Sequence, residues 1–142
     1  MDINYEIVQD VTPVAVVHAP GAVDGSNYQG LIEQVKRLCA AGTKDVLLDL
    51  GSCKFLSSAG VFALHSIALI VHRLTPLDPE QGWAALHQMA GEQRSLKQHF
   101  RIANIQPNIA RTLEMVGMID LFEIYPDIPT ALAAFQTSIS VE

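Results

Sequence analysis

Two adjacent serines, Ser57 and Ser58, have the residue type and the setting to do chemistry. They follow Val46-Leu47-Leu48-Asp49-Leu50, a short and almost wholly apolar run of the kind a buried central strand requires, and the break at Gly51-Ser52-Cys53-Lys54. A helical period starts at the serines and holds to Leu74. Serines at the mouth of a helix that follows a central strand stand where an α/β domain displays its chemistry. They could act as nucleophiles there, or simply cap the helix.

The nucleophile reading finds little support in spacing. Ser58 has Gly60 after it but Leu56 before it, and Ser57 is flanked at the same distance by Phe55 and Ala59, so neither completes a Gly-x-Ser-x-Gly elbow. His65 and His72 stand seven apart without an accompanying carboxylate, and no His-Glu-x-x-His spacing exists. A serine hydrolase with a triad assembled from a distant histidine is the weakest of the functional readings. Gly21-Ala22-Val23-Asp24-Gly25 is too short a glycine pattern for a phosphate cradle, and no Gly-Lys-Ser/Thr follows it. Cys39 and Cys53 are too few and too unpatterned for a disulfide framework or a zinc site. No catalytic group, metal or cofactor is expected on these grounds.

Composition narrows the class. The 142 residues are one domain's worth, and an apolar share of 49% with 17% charged residues describes a well-packed soluble domain. The net charge of −6 and the lack of a long basic cluster argue against nucleic acid as the main partner. No signal peptide and no run of membrane length is evident, so a reduced cytoplasm is the expected location. The nearest approach to a span, Val61 to Val71, is too short and is interrupted by His65 and Ser66.

The elements that must position the serines read as an alternation. Ile3 to Val8 and Val14 to His18 are strands joined by a short link, which suggests an antiparallel pair. Ala19 to Ser26 is a loop ending in capping residues, and a helix runs from about Asn27 to Ala41, stopped by Gly42. After the central strand and helix, Thr75 to Glu80 is a break, and Trp83, Leu86 and Met89-Ala90 could stripe a short extra helix stopped by Gly91. A strand at about Gln98 to Ala103, a helix from Pro107 to Gly117, a strand from Leu121 to Tyr125 and a closing helix from Ile128 to Thr137 complete the chain. The pattern is α/β: a mixed, mostly parallel sheet of about five strands with packed helices, in one domain over 1–142.

On the central helix, Gly60, Ala63, Leu64, Ile67, Val71 and Leu74 share one side, as a helix lying on a sheet should. The opposite side collects Ser58, Phe62, His65, Leu69 and His72, with Arg73 beside them and none of the Lys, Glu and Gln of a solvated face. Two readings stand. Other helices cover part of this side, or it is a protein-binding face headed by Ser58.

Asp49-Leu50 followed by Phe55-Leu56-Ser57-Ser58-Ala59-Gly60-Val61 resembles the signature of STAS domains, the family of the bacterial anti-sigma factor antagonists. Gly21-Ala22-Val23-Asp24 is similar to that family's Gly-Glu-Leu-Asp, Val116 to Phe122 to its later helix end and last strand, and Ala131-Leu132 to its closing helix. The resemblance covers nearly the whole chain in the right order. It implies a STAS-type fold and a regulatory protein-binding module that is not an enzyme. The partner would be an anti-sigma factor that is a serine/threonine kinase and phosphorylates Ser58, with a cognate phosphatase resetting the cycle. Asp24 would lie near Ser58, and Phe62, His65 and Leu69 would line the docking face. Two positions depart from the family pattern: Ser57 replaces its aspartate and Ala59 its second serine or threonine, which makes Ser57 a cap or an alternative target. Residues 75–95 are longer than the family usually carries and read as an insertion. The alternative is a STAS module that binds a small apolar ligand or is an accessory subunit of a lipid or anion transport system.

Overall fold

The computed structural model describes residues 4–9, 13–73 and 97–140. A five-stranded sheet is formed by β1 (Asn4–Gln9), β2 (Pro13–His18), β4 (Asp45–Asp49), β6 (Phe100–Ala103) and β7 (Glu123–Tyr125), in the spatial order β1-β2-β4-β6-β7. β1 runs antiparallel to β2, and the other neighbours are parallel. Two further strands, β3 (Ala22–Val23) and β5 (Phe55–Leu56), pair with each other in parallel beyond the sheet. The helices are α1 (Tyr28–Ala40), α2 (Ser58–Val71), α3 (Pro107–Met115) and α4 (Ile128–Ser140), with a 3-10 turn at Ile119–Leu121.

β4 is apolar on both sides because both sides are covered. Val46 and Leu48 join Ala15, Val17, Phe100 and Ile102 in a large core under α1 and α2, while Leu47 joins Val14, Val16 and Ala103 against Ala131 and Phe135 of α4. α1 ends in a Schellman turn: Gly42 stands at φ 108° and Thr43 N–H donates to Leu38 C=O at 3.0 Å. α3 ends the same way at Gly117, φ 77°, with Met118 N–H donating to Leu113 C=O at 2.9 Å. Both glycine stops lie where the sequence puts them.

Some boundaries differ from the sequence reading. β6 begins at Phe100. β7 begins at Glu123, because residues 119–121 wind into the 3-10 turn, Leu121 N–H donating to Met118 C=O at 3.1 Å. α2 ends at Val71, where Arg73 adopts φ 61°. The helix therefore stops short of Leu74; the proposed extra helix around Trp83, the stop at Gly91 and the insertion at 75–95 lie outside the described residues.

The largest correction concerns α2. Eleven of its fourteen residues are buried, and they include the side read as a docking face: Phe62, His65 and Leu69 are 4%, 1% and 0% exposed. Tyr28 of α1 packs edge-on against Phe62, with ring centroids 6.1 Å apart. A helix apolar around its whole circumference is a buried helix: Phe62 and Leu69 belong to the core, His65 is buried with them, and none of the three presents a surface on which a partner could dock.

Candidate functional site

What remains exposed on α2 is its N-terminal tip. Ser57 is the cap: its backbone is extended at φ −81° and ψ 178°, and its Oγ accepts a hydrogen bond from Gly60 N–H at 3.3 Å. Such a cap contributes about 1 kcal/mol. With Ser57 taken up by capping, Ser58 becomes the first helical residue and turns outward. It is exposed, and its hydroxyl has no hydrogen-bond partner among the described residues. The two serines thus divide the roles that spacing alone left open.

The Asp24 loop is held against this tip. Ser57 N–H donates to Val23 C=O at 3.0 Å, continuing the β3–β5 pairing of Val23 with Leu56. The approach is so close that a Cβ at position 60 would lie 2.5 Å from the Val23 carbonyl oxygen and 2.6 Å from Leu56 Cδ1. Only glycine fits there. Asp24 follows at once and opens the turn that leads into α1, its carbonyl accepting from Asn27 N–H at 3.2 Å and Tyr28 N–H at 2.9 Å. Its carboxylate Oδ1 accepts from the Ser26 hydroxyl at 2.6 Å and the Ser26 N–H at 2.9 Å. These two bonds hold its carboxyl below the ordinary value of 3.8, the hydroxyl acting more strongly than the amide. Asn27 clamps the loop from inside, accepting from Asp24 N–H at 2.9 Å and donating to Ala22 C=O at 2.8 Å.

The third side of the site is β5 with the turn before it. Phe55 is 54% exposed, a large apolar side chain left in water two residues before the cap. Lys54 N–H donates to Gly21 C=O at 2.8 Å, and the Lys54 carbonyl accepts from the Asn108 amide of α3 at 2.8 Å. Asp24, Lys54, Phe55, Ser57, Ser58 and Asn108 therefore share the end of the molecule at which the parallel strands finish.

Beneath that end lies a polar hub that sequence reasoning missed. Asp49 Oδ2 is 2.7 Å from His18 Nδ1, and Asp49 Oδ1 accepts from Gly51 N–H and the Asn104 amide, each at 2.9 Å. Gln106, the residue before α3, donates to Gly51 C=O at 2.7 Å. Burial pushes the Asp49 carboxyl up, but the Asn104 amide, His18 and the Gly51 amide together outweigh it and hold the group below 3.8. One carboxylate thus ties the segments leaving β2, β4 and β6. The available signal was the polar residue closing each of three apolar strands: His18, Asp49 and Asn104.

The site's chemistry is that of a presented hydroxyl. Cys39 and Cys53 are free and buried, with their thiols pushed above 9.0 chiefly by burial. Among the described residues no group of three or more His, Cys, Asp and Glu could hold a metal ion, and no helix is long and apolar enough to cross a membrane.

Comparison with known proteins leads to one family. The model of the STAS domain matches residues 2–74. BtrV of Bordetella bronchiseptica, classed by its name among anti-sigma factor antagonists, is 24% identical over 119 residues, which is 84% of either chain. An anti-sigma factor antagonist from Mycobacterium paratuberculosis matches with a TM-score of 0.62 at 21% identity, over 95% of each chain. The anti-sigma factor antagonist SpoIIAA, in its unphosphorylated form, matches with 0.58 at 12% identity, over 94% of this chain and 97% of its own. The phosphorylated form of SpoIIAA, from Bacillus, matches with 0.50 at 12% identity, over 92% and 98%. With an α/β fold like theirs and a family match over more than half its length, this chain belongs to the STAS domain family.

Proposed function

We propose that this chain is a regulatory binding module of the anti-sigma factor antagonist type. Its docking surface is the loop end built by Asp24, Lys54, Phe55, Ser57 and Ser58, and its partner is an anti-sigma factor that is also a serine/threonine kinase. Phosphorylation of Ser58 ends the complex, and a phosphatase restores it. The observation that carries this reading is the exposed Ser58 hydroxyl, without a hydrogen-bond partner among the described residues, at the first position of a helix whose body is otherwise buried. SpoIIAA, similar in fold, has been solved with and without phosphate, which supports a phosphate-dependent role here.

The physics of such a switch is local. A phosphate on Ser58 meets the free N–H groups and the positive end of the α2 dipole, so the fold tolerates it. Its charge of about −2 acts on the partner instead. On the same end of the molecule as Phe55 and the anionic Asp24, it would have to be desolvated when a partner closes over this surface, which opposes docking.

Co-expression with the cognate kinase, followed by intact mass and site mapping, tests the reading. One phosphate on Ser58 is expected, with none on Ser58→Ala and no change in thermal midpoint between the two proteins. Absence of phosphate from both Ser58 and Ser57 would sink the switch and leave constitutive binding as the surviving form of the function.

A further inference from the structure

Where β6 gives way to α3, the chain carries an amide side chain at every second residue: Asn104, Gln106 and Asn108. Each donates across to the segment that leaves β4. Asn104 Nδ2 donates to Asp49 Oδ1 at 2.9 Å, Gln106 Nε2 to Gly51 C=O at 2.7 Å, and Asn108 Nδ2 to Lys54 C=O at 2.8 Å. The bonds follow one another in the same order along both segments, joining residues 54 or 55 apart in sequence. They form a ladder of three rungs.

The helix that follows takes no cap from these side chains. Gln106 is the cap residue of α3, yet its side chain makes no capping bond. Asn104 stands at φ 61°, a left-handed backbone that asparagine tolerates better than most residues.

The far side of the ladder is the turn that delivers Phe55. Cys53 N–H closes that turn on Leu50 C=O at 3.0 Å, and Lys54 N–H reaches Gly21 C=O at 2.8 Å. β5 is only two residues long, and its side chains point to opposite faces, Phe55 54% exposed and Leu56 5%. A slip of one residue would exchange them. Two paired residues hold a register weakly, and the rungs to Gly51 and Lys54 hold the chain at the start and end of the turn itself.

A carbonyl on a surface turn can bond water instead, so each rung contributes little net stability. What a rung changes is order. A turn already held loses less conformational freedom when a partner closes over Phe55, and that saving appears as affinity.

We propose that Asn104, Gln106 and Asn108 are positioning residues for the docking surface, their ladder holding the turn that presents Phe55 to the kinase. The inference rests on the binding function proposed above and adds α3 to the parts that set its strength.

Amide hydrogen exchange of the full chain, together with steady-state phosphorylation of Ser58 by the same cognate kinase, tests it. Asn108→Ala lies at an exposed position, and Gln106→Met keeps the length of the side chain without its donor; circular dichroism verifies both folds. In each variant, exchange at the Cys53 and Lys54 amides should quicken by about three- to tenfold. KM for the chain as substrate should rise by about the same factor, the loss expected for one ordering contact. The kcat should stay at the parent value, because at saturation the complex itself orders the turn. Unchanged exchange, or an unchanged KM in both variants, would overturn the proposal. So would a fall in kcat at constant KM, which would assign the amides to the phosphorylation step. A parent that the kinase neither binds nor phosphorylates would overturn the proposed function, and this inference with it.

Discussion

At its N-terminus α2 is held by one hydroxyl, that of Ser57, and leaves Ser58 facing solvent. At its C-terminus the same helix is closed by His72, which bonds Ala68 and His99, and by Arg73, which reaches across to the end of α1. Between the two ends almost every side chain is buried. Burial separates these regions where hydrophobicity does not: Phe62 and Phe55 are equally apolar, yet one is 4% exposed and the other 54%. An apolar residue in the body of α2 contributes to folding, whereas one at its N-terminal rim is available to a partner.

The sharpest way to break this contrast is to truncate each phenylalanine in turn. Phe62→Ala should cost about 3–5 kcal/mol, as large-to-small changes in cores do. Phe55→Ala should stay within about 0.5 kcal/mol of the parent in stability while weakening partner binding. Denaturant midpoints and pull-down affinity measure the two; similar stability losses would mean that Phe55 belongs to the core. The next largest effect is Gly60→Ala. The added methyl must push either the Val23 carbonyl or Leu56 aside, at about 1–3 kcal/mol, and should shift the amide resonances of the Asp24 loop with it. A neutral change would show that the loop is not held against the tip.

Ser57→Ala tests the division of labour between the serines. It should cost about 1 kcal/mol of stability through loss of the cap and leave Ser58 available to a kinase. If phosphorylation is lost while stability is unchanged, the two roles are exchanged.

The smallest effect lies at the closed end and depends on pH. Burial, the largest influence, lowers the His72 pKa from 6.5, and nearby His99 acts in the same direction, against the Ala68 carbonyl and Asp45. Because the folded value is depressed, the unfolded chain binds the proton more readily, and stability rises with pH in this window. The contribution of neutral His72 is present above 6.5 and is lost as the pH falls from there through the folded value. Denaturant midpoints of the parent should therefore decline over that window more steeply than those of His72→Gln. Parallel pH curves would refute this role for His72.

Much of the fold was legible because its signals are local. An apolar run too short for a helix marks β4, and Gly42 and Gly117 mark helix stops through a backbone geometry that residue type largely dictates. β3 and β5 were not legible: two residues each leave no period to detect, and their pairing joins positions more than thirty residues apart. The docking face was misassigned for a related reason. A wheel orders the residues of α2 around its axis but carries no information about how many neighbours surround it, and this helix has no face polar enough to declare itself.

For the site, the sequence by itself determined that two serines open the central helix, that an aspartate follows the second strand, and that nothing nearby has the spacing of a known catalytic motif. Which serine caps and which is presented was decided only by tertiary structure, because the Ser57 amide binds a carbonyl from β3 and the space above Gly60 is filled by that same strand. The hub at Asp49 likewise needed three strand ends brought side by side, and the boundary between buried helix and exposed tip needed α1 laid over α2. Residue type states what a side chain can do, and packing decides whether it is free to do it.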